Sequence, residues 1–192
     1  MTDHQNITFT IRTAVPEDAP GLLDIYAPYV KNTAVTFEYE VPSLEEFTAR
    51  ISQTLKNYPW LAATDPQGRI VGYAYASAFH PRAAYAWAAE TSIYVDSAHR
   101  LGGIGSALYA ELESVLRRQN VLNVNACISC PNPASVAFHE RFGYRTTAHF
   151  HQCGYKFGTW YDTIWMEKHL GAHGQTPLPF IPFPRLNTGK YT

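Results

Sequence analysis

Cysteine is scarce in this chain, three in 192 residues, which is no basis for a disulfide framework and agrees with a reducing compartment. Excess charge is missing too. A formal net charge of −1 with no basic run argues against nucleic acid or an anionic membrane as the main partner and favours small-molecule chemistry. No apolar run is long enough to span a bilayer, and the N-terminal "MTDHQNITFTIR" has no signal-peptide core, so a cytoplasmic location is expected. A second Cys-x-x-Cys pair is absent beside Cys127 and Cys130. His149, His151 and Cys153 would share a face if their segment is a strand, but Cys127 falls in an apolar run, so the expectation is no metal. The redox alternative is weaker still, because it wants its first cysteine at a helix start.

What is present is apolar content, 46% of the chain, enough for one sizeable core and one expected domain over residues 1–170. "ITFTIR" (residues 7–12) alternates as a strand. "PEDAPGLLDIYAPYVKN" carries Leu22, Leu23, Tyr26, Tyr29 and Val30 on a helical stripe, with Pro28 expected to kink or split it. Ser43-Leu44-Glu45-Glu46 is a capping box for a helix whose face holds Leu44, Phe47, Ile51 and Leu55. "DPQG" between "WLAAT" and "RIVGYAYASAF" predicts an antiparallel hairpin. "ETSIYV" and "VLNVNACI" read as parallel strands joined through a helix. Asn132-Pro133 starts a short helix that Gly143 ends, and two aromatic segments around 144–153 and 159–168 form a final hairpin. Residues 171–192, Pro-rich and aperiodic, read as an extended tail on the surface or on a partner subunit.

The stretch "HRLGGIGSALYAEL", residues 99–112, places three glycines at a helix start, followed by a stripe of Ile104, Ala107, Leu108, Leu112, Val115 and Leu116 running to about Arg118. Glycine there is costly and keeps side chains away from the first turn. The first amides of the helix have no intrahelical partner and carry roughly half a positive charge, which suits an anion. A P-loop is excluded because Gly105 is followed by Ser106 and Ala107. A dinucleotide fingerprint is disfavoured because no third glycine and no later carboxylate fall at its positions.

The remaining pattern, Arg100-x-x-Gly103-x-Gly105 entered from "TSIYVDSAH", resembles the pyrophosphate arm of the GNAT superfamily of acetyl-CoA-dependent N-acetyltransferases. With "YPWLAA", "PRAAYAW…E…IYV", "NPASVAFHERFGY" and "GYKFGTWYD", it resembles the phosphinothricin and methionine sulfoximine acetyltransferase branch. The resemblance implies an α/β fold: a mixed, mostly antiparallel sheet splayed between its fourth and fifth strands and flanked by helices. It implies acetyl-CoA as co-substrate, with Arg100, Leu101, Gly102, Gly103, Ile104, Gly105 and Ser106 around the diphosphate. Ile93, Tyr94 and Val95 would pair with the pantetheine arm and Asn132 would bond it from across the notch. Glu90 is the candidate base for an α-amine, and an amide near Val95 would polarise the carbonyl. His139 stands where many relatives have an acid tyrosine, and either that role or a structural one fits the residue; Tyr109 reads as packing. Arg82 and Tyr85 match acceptor-facing positions, with Phe37, Glu38, Lys156 and Trp160 as the other wall. A small-molecule amine acceptor and a homodimer are the implied partners. The alternatives are a protein or peptide N-acetyltransferase and a non-catalytic acyl-CoA sensor.

Overall fold

The computed structural model describes residues 8–99 and 102–186. Its strands are β1 (Thr10–Thr13), β2 (Trp60–Thr64), β3 (Ile70–Ala78), β4 (Ala88–Val95), β5 (Asn123–Cys130), β6 (Arg145–Lys156) and β7 (Thr159–His169). Four α-helices, α1 (Ala19–Asn32), α2 (Leu44–Leu55), α3 (Ile104–Arg118) and α4 (Pro133–Arg141), and four single-turn 3-10 helices complete the described elements. The order along the chain is the expected one. The strands form one sheet, β1-β2-β3-β4-β5-β7-β6, antiparallel except between β4 and β5. That parallel pair lasts three residues, Ala88–Glu90 against Asn123–Asn125, after which the two strands part. This is the expected splay.

The two halves of the sheet are covered differently. In β2 every residue is buried, because Leu61 and Ala63 pack against the α3 side while Trp60 and Ala62 pack with α1 and α2. A strand covered on both faces reads as a continuous apolar run rather than an alternation. On the C-terminal half, β6 is largely exposed and forms an edge of the sheet, while β7 is exposed only at its ends.

Ser43 caps α2, its Oγ accepting the Glu46 N–H at 3.1 Å. Leu44, expected on the buried face, is 48% exposed; the packed stripe starts one turn later at Phe47 and continues to Ile51. Pro28 neither splits nor ends α1, which stays helical to Asn32. A proline deprives only the carbonyl four residues back of its partner. Asp24 is exposed, so water can take that place.

The tail does not project. Trp87 Nε1–H donates to the Leu178 carbonyl at 2.7 Å and the Asn120 amide to that of Pro179 at 2.7 Å. Phe183 N–H donates to the Asn57 carbonyl at 3.0 Å, and Phe183 and Leu186 are buried with Val115 of α3. Residues 171–186 therefore lie on this chain's own surface. Among the described residues no helix is long and apolar enough to cross a membrane.

Candidate active site

Arg100 and Leu101 lie outside the described residues; the glycines that follow them do not. Gly103 is the N-cap of α3 at φ +77°, a conformation that side chains rarely adopt. Gly105 sits inside the first turn, where glycine costs about 1 kcal/mol relative to alanine. A methyl group there would come no closer than 3.5 Å to any protein atom, Ile93 Cδ1 being nearest. The fold itself does not demand this glycine. The room it leaves opens onto a cavity of about 470 Å³ lined by Ile104, Gly105 and Ser106 together with Tyr29, Val95 and Arg141. An anion fits here: bare amides at a helix start, the Arg141 guanidinium, and space kept by glycine. Gly102 leads into the turn, half-buried.

Beside this cavity is the gap between β4 and β5. The Asp96 N–H bonds to the Val71 carbonyl at 3.0 Å, which fixes the phase of the β3–β4 ladder. It directs the main-chain groups of Ile93 and Val95 into the gap and those of Tyr94 toward β3. Of the three residues expected to pair with a pantetheine arm, two thus offer their backbone. Tyr29 of α1 already engages one of them, its hydroxyl donating to the Val95 carbonyl at 2.6 Å and lying 3.3 Å from the Val95 amide. Across the gap, Asn132 Oδ1 accepts the Ser135 N–H at 3.2 Å and caps α4. A small cavity of about 60 Å³ joins Ile93, Ile128, Asn132 and His139.

Side chains of β4 alternate between the two faces of the gap. Thr91 points to the α3 side, into a buried polar chain. Its hydroxyl lies 2.8 Å from Tyr109 Oη and 3.2 Å from the Asn125 carbonyl, and Tyr109 Oη is 2.8 Å from His139 Nε2. His139, 3% exposed, has Nδ1 2.8 Å from the Ser135 carbonyl, which can only accept, so Nδ1 carries the proton and Nε2 accepts from Tyr109. Burial lowers the His139 pKa and favours this neutral form.

Glu90 points to the opposite face. It is half-buried, and burial raises its pKa, partly offset by His80. Cys127 of β5 lines the gap and is exposed there, with Glu90 and Cys153 nearby.

The wall beyond Glu90 is made by residues 33–42 closing on the β6–β7 hairpin. Lys156, 1% exposed, donates from Nζ to the Thr36 carbonyl at 2.7 Å. Burial lowers its pKa while Glu38 opposes that shift. Tyr39 Oη donates to the Tyr155 carbonyl at 2.6 Å, and the Phe37 ring lies against Gly154, where any Cβ would overlap it. Glu38 is committed to Arg50 at 2.6 Å. Phe37, Glu38 and Lys156 are therefore brought together as expected neighbours. Trp160 is not among them: 58% exposed, it lies tilted against Tyr155 near the hairpin turn, ring centroids 5.0 Å apart, and lines neither cavity at the gap. Arg82 is exposed and precedes the short helical turn Ala83–Tyr85. Tyr85 packs with Phe79 and His80 on the rim of a hollow of about 690 Å³, whose floor includes Trp165 and Phe150.

Tyr29, Thr91, Tyr109, His80, Cys127 and Arg141 were not singled out as site residues from sequence. Tyr109 and Tyr29 lie on apolar helical stripes, where an aromatic reads as core. A Thr in an apolar strand and a Tyr one helix away carry no local signal of pairing. Only Arg141, in the last turn of a helix started by Asn132-Pro133, could have been flagged from composition.

Comparison with known proteins places these features in context. Residues 11–165 match the family described as "Acetyltransferase (GNAT) domain". A phosphinothricin N-acetyltransferase of Streptomyces viridochromogenes is 35% identical over 91% of this chain and 91% of its own length. An L-methionine sulfoximine/L-methionine sulfone acetyltransferase of Pseudomonas paraeruginosa is 33% identical over 88% of this chain and 98% of its own. Among solved structures, a GNAT superfamily phosphinothricin acetyltransferase from Sinorhizobium meliloti in complex with AcCoA superposes with a TM-score of 0.85 at 34% identity, covering 92% of this chain and 99% of that one. The glycine-opened helix start, the parted β4 and β5, and these matches over most of the length have one explanation: the chain belongs to the GNAT family and is an acetyl-CoA-dependent N-acetyltransferase.

Proposed function

We propose that the acceptor is the α-amino group of a small amino-acid analogue of the phosphinothricin or methionine sulfoximine kind, with Glu90 as its base. The observation that carries this is the placement of Glu90: a half-buried carboxylate at the point where β4 and β5 part, on the β4 face opposite Thr91 and close to His80 and Cys127. The relatives named above support the acceptor class.

Acetyl-CoA supplies an acetyl group activated as a thioester. The Ile104, Gly105 and Ser106 amides, with Arg100, Leu101, Gly102 and Gly103 leading into them, hold its diphosphate; Ile93, Val95 and Asn132 hold the arm. Glu90 accepts the ammonium proton, directly or through water. For an α-amine titrating near ~8 about a tenth is neutral at pH 7, so the base contributes on the order of 10²-fold rather than more. On the other face His139, neutral and bonded to Tyr109, can pass a proton only through that hydroxyl, which makes it a relay rather than a direct acid. Arg82 and Tyr85 meet the acceptor's carboxylate or its oxidised sulfur or phosphorus group. The domain spans residues 1–170 and acts in the cytoplasm. The aromatic hollow beside Glu90 is the face on which a second copy docks, giving a homodimer.

Thiol release from acetyl-CoA across amino-acid analogues, N-terminal peptides and lysine peptides tests the acceptor. The highest kcat/KM is expected for an analogue. Preference for a peptide overturns the acceptor assignment, and coenzyme A binding without transfer to any amine points to a sensor.

A further inference from the structure

We propose that His149, His151 and Asp162 form a site for an exchangeable divalent transition-metal ion of the zinc, nickel or copper class, outside the acetyl-transfer centre. The site is built by the β6–β7 hairpin. His149 and His151 are two residues apart on β6 and share a face; Phe150, between them, points to the other face and lines the hollow. His149 is the register partner of Ile164 on β7, and Asp162 lies two residues from Ile164, so the carboxylate stands on the histidine face.

A bulge then aims the groups. The β6–β7 register shifts between Phe150 and Gly154, and Gln152 takes the left-handed conformation at φ +47°. Its N–H donates to Asp162 Oδ1 at 2.8 Å, which orients the carboxylate. The other oxygen, Oδ2, lies 2.8 Å from His149 Nε2 and 3.1 Å from His151 Nδ1, with the two rings 4.3 Å apart. All three ligand atoms fall within 4.8 Å of one another. Metal–nitrogen bonds of ~2.0–2.1 Å place neighbouring ligand atoms at roughly 3–3.5 Å, so the His151 separation of 3.1 Å already matches a bound ion and the His149 separation of 2.8 Å has to open by a few tenths of an ångström, exchanging its hydrogen bond for the metal.

Two imidazoles and one carboxylate suit zinc, nickel and copper rather than magnesium or calcium. The backbone bond to Oδ1 is the kind of outer contact that holds a ligating carboxylate in place. Both histidines are exposed, 41% and 74% at their side chains, so water completes the coordination. Cys153, which by sequence would share a face with the two histidines, is not part of the group: its Sγ lies 3.0 Å from Thr163 Oγ1, and the third ligand is Asp162, in departure from the expectation of no metal.

The test uses Ni(II) as probe, titrated into the full-length protein by calorimetry, with wild type, the double variant His149→Gln/His151→Gln, Asp162→Asn and Cys153→Ser compared. One ion per chain is expected, weakened at least ~10-fold in the double variant, measurably in Asp162→Asn, and unchanged in Cys153→Ser. At a nickel concentration about 100 times its dissociation constant the wild-type Tm is expected to rise by about 5–10 °C and that of the double variant by much less. Should the double variant fail to fold, His151→Gln alone, at a largely exposed position, carries the comparison. Cu(II) electron paramagnetic resonance is expected to show coupling to two nitrogens in wild type only. Unchanged affinity in the histidine variants, loss of binding in Cys153→Ser, or wild-type binding weaker than about 1 mM would overturn the site.

Discussion

The two faces of the β4–β5 gap are built from different materials. Toward α3 the groups are buried and mutually bonded: Thr91, Tyr109 and His139 form one chain closed by the Asn125 and Ser135 carbonyls. The cavity at the start of α3 is shaped by main chain and by glycine. Toward the hairpin, the wall is made of side chains held by long-range contacts, and a half-buried carboxylate stands among aromatics. The diphosphate and amide-bearing arm of coenzyme A are constant and can be met by backbone. An acceptor is recognised by its own side chain, so that face uses residues that can be exchanged without disturbing the helix start.

Breaking the acceptor face at its charged residue has the largest effect. Glu90→Gln is expected to lower kcat by on the order of 10², measured by thiol release, with affinity for coenzyme A unchanged. The same substitution separates activity from stability. Burial raises the folded-state pKa of Glu90, so its contribution to stability is present below the unfolded value of ~4.3 and lost as pH rises through the raised value. At pH 8 the Gln variant is therefore expected to melt at the wild-type temperature or above it. A melting temperature clearly below wild type there would contradict the assignment of burial as the cause. In the wild type, the acid limb of kcat/KM is expected above the usual carboxylate range.

Next in size is the cofactor face. Gly105→Ala introduces a methyl group for which the protein has ordinary van der Waals room, 3.5 Å from Ile93 and 3.6 Å from Phe138. The unliganded chain is expected to gain ~0.5–1 kcal/mol, as glycine-to-alanine changes in helices do. Affinity for coenzyme A, by calorimetry, is expected to fall about tenfold, equivalent to ~1.4 kcal/mol. Opposite signs for stability and binding are the signature of space reserved for a ligand; a loss in both would mean that the methyl group disturbs the fold.

What was legible in the sequence divides along the same line. The α2 cap, the α3 stripe and the glycine pattern are records of near neighbours in the chain, and each is found where spacing put it. The acceptor wall depends on Lys156 reaching Thr36 across 120 positions and Tyr155 meeting Tyr39 across 116. No periodicity encodes such a pairing. Trp160 was grouped with that wall as a neighbour of Lys156 in the last hairpin, yet it pairs with Tyr155, one step from the Lys156–Thr159 pair, so its side chain lies on the other face of the hairpin. Pro28 shows the same limit from the other side: it does not split α1, and the carbonyl it leaves without a helical partner belongs to Asp24, an exposed residue that water can reach.

A milder change probes the acceptor wall without touching charge. Gly154→Ala places a Cβ within the Phe37 ring, whose far edge must swing away. The expected cost is ~1 kcal/mol in stability, with a several-fold rise in KM for the acceptor and none for acetyl-CoA. If both Michaelis constants rise together, the two faces are not independent.

The smallest effect is expected at the join between tail and sheet, and it asks whether the tail belongs to the chemistry. Trp87→Phe removes the indole N–H bond to the Leu178 carbonyl. Both groups lie near solvent, so water can replace the donor and the loss should be ~0.5–1 kcal/mol, a fall of about 1–4 °C in Tm. The Trp87 main-chain carbonyl separately accepts the Leu122 and Asn123 N–H groups at 2.9 and 3.0 Å. Those two bonds survive the substitution and keep β5 in register beside Ala88–Glu90. Glu90 therefore stays in place, and kcat with the preferred acceptor should remain within twofold of wild type. A tenfold fall in kcat, with Tm barely moved, would assign the tail the positioning of Glu90 rather than the covering of apolar surface around Val115.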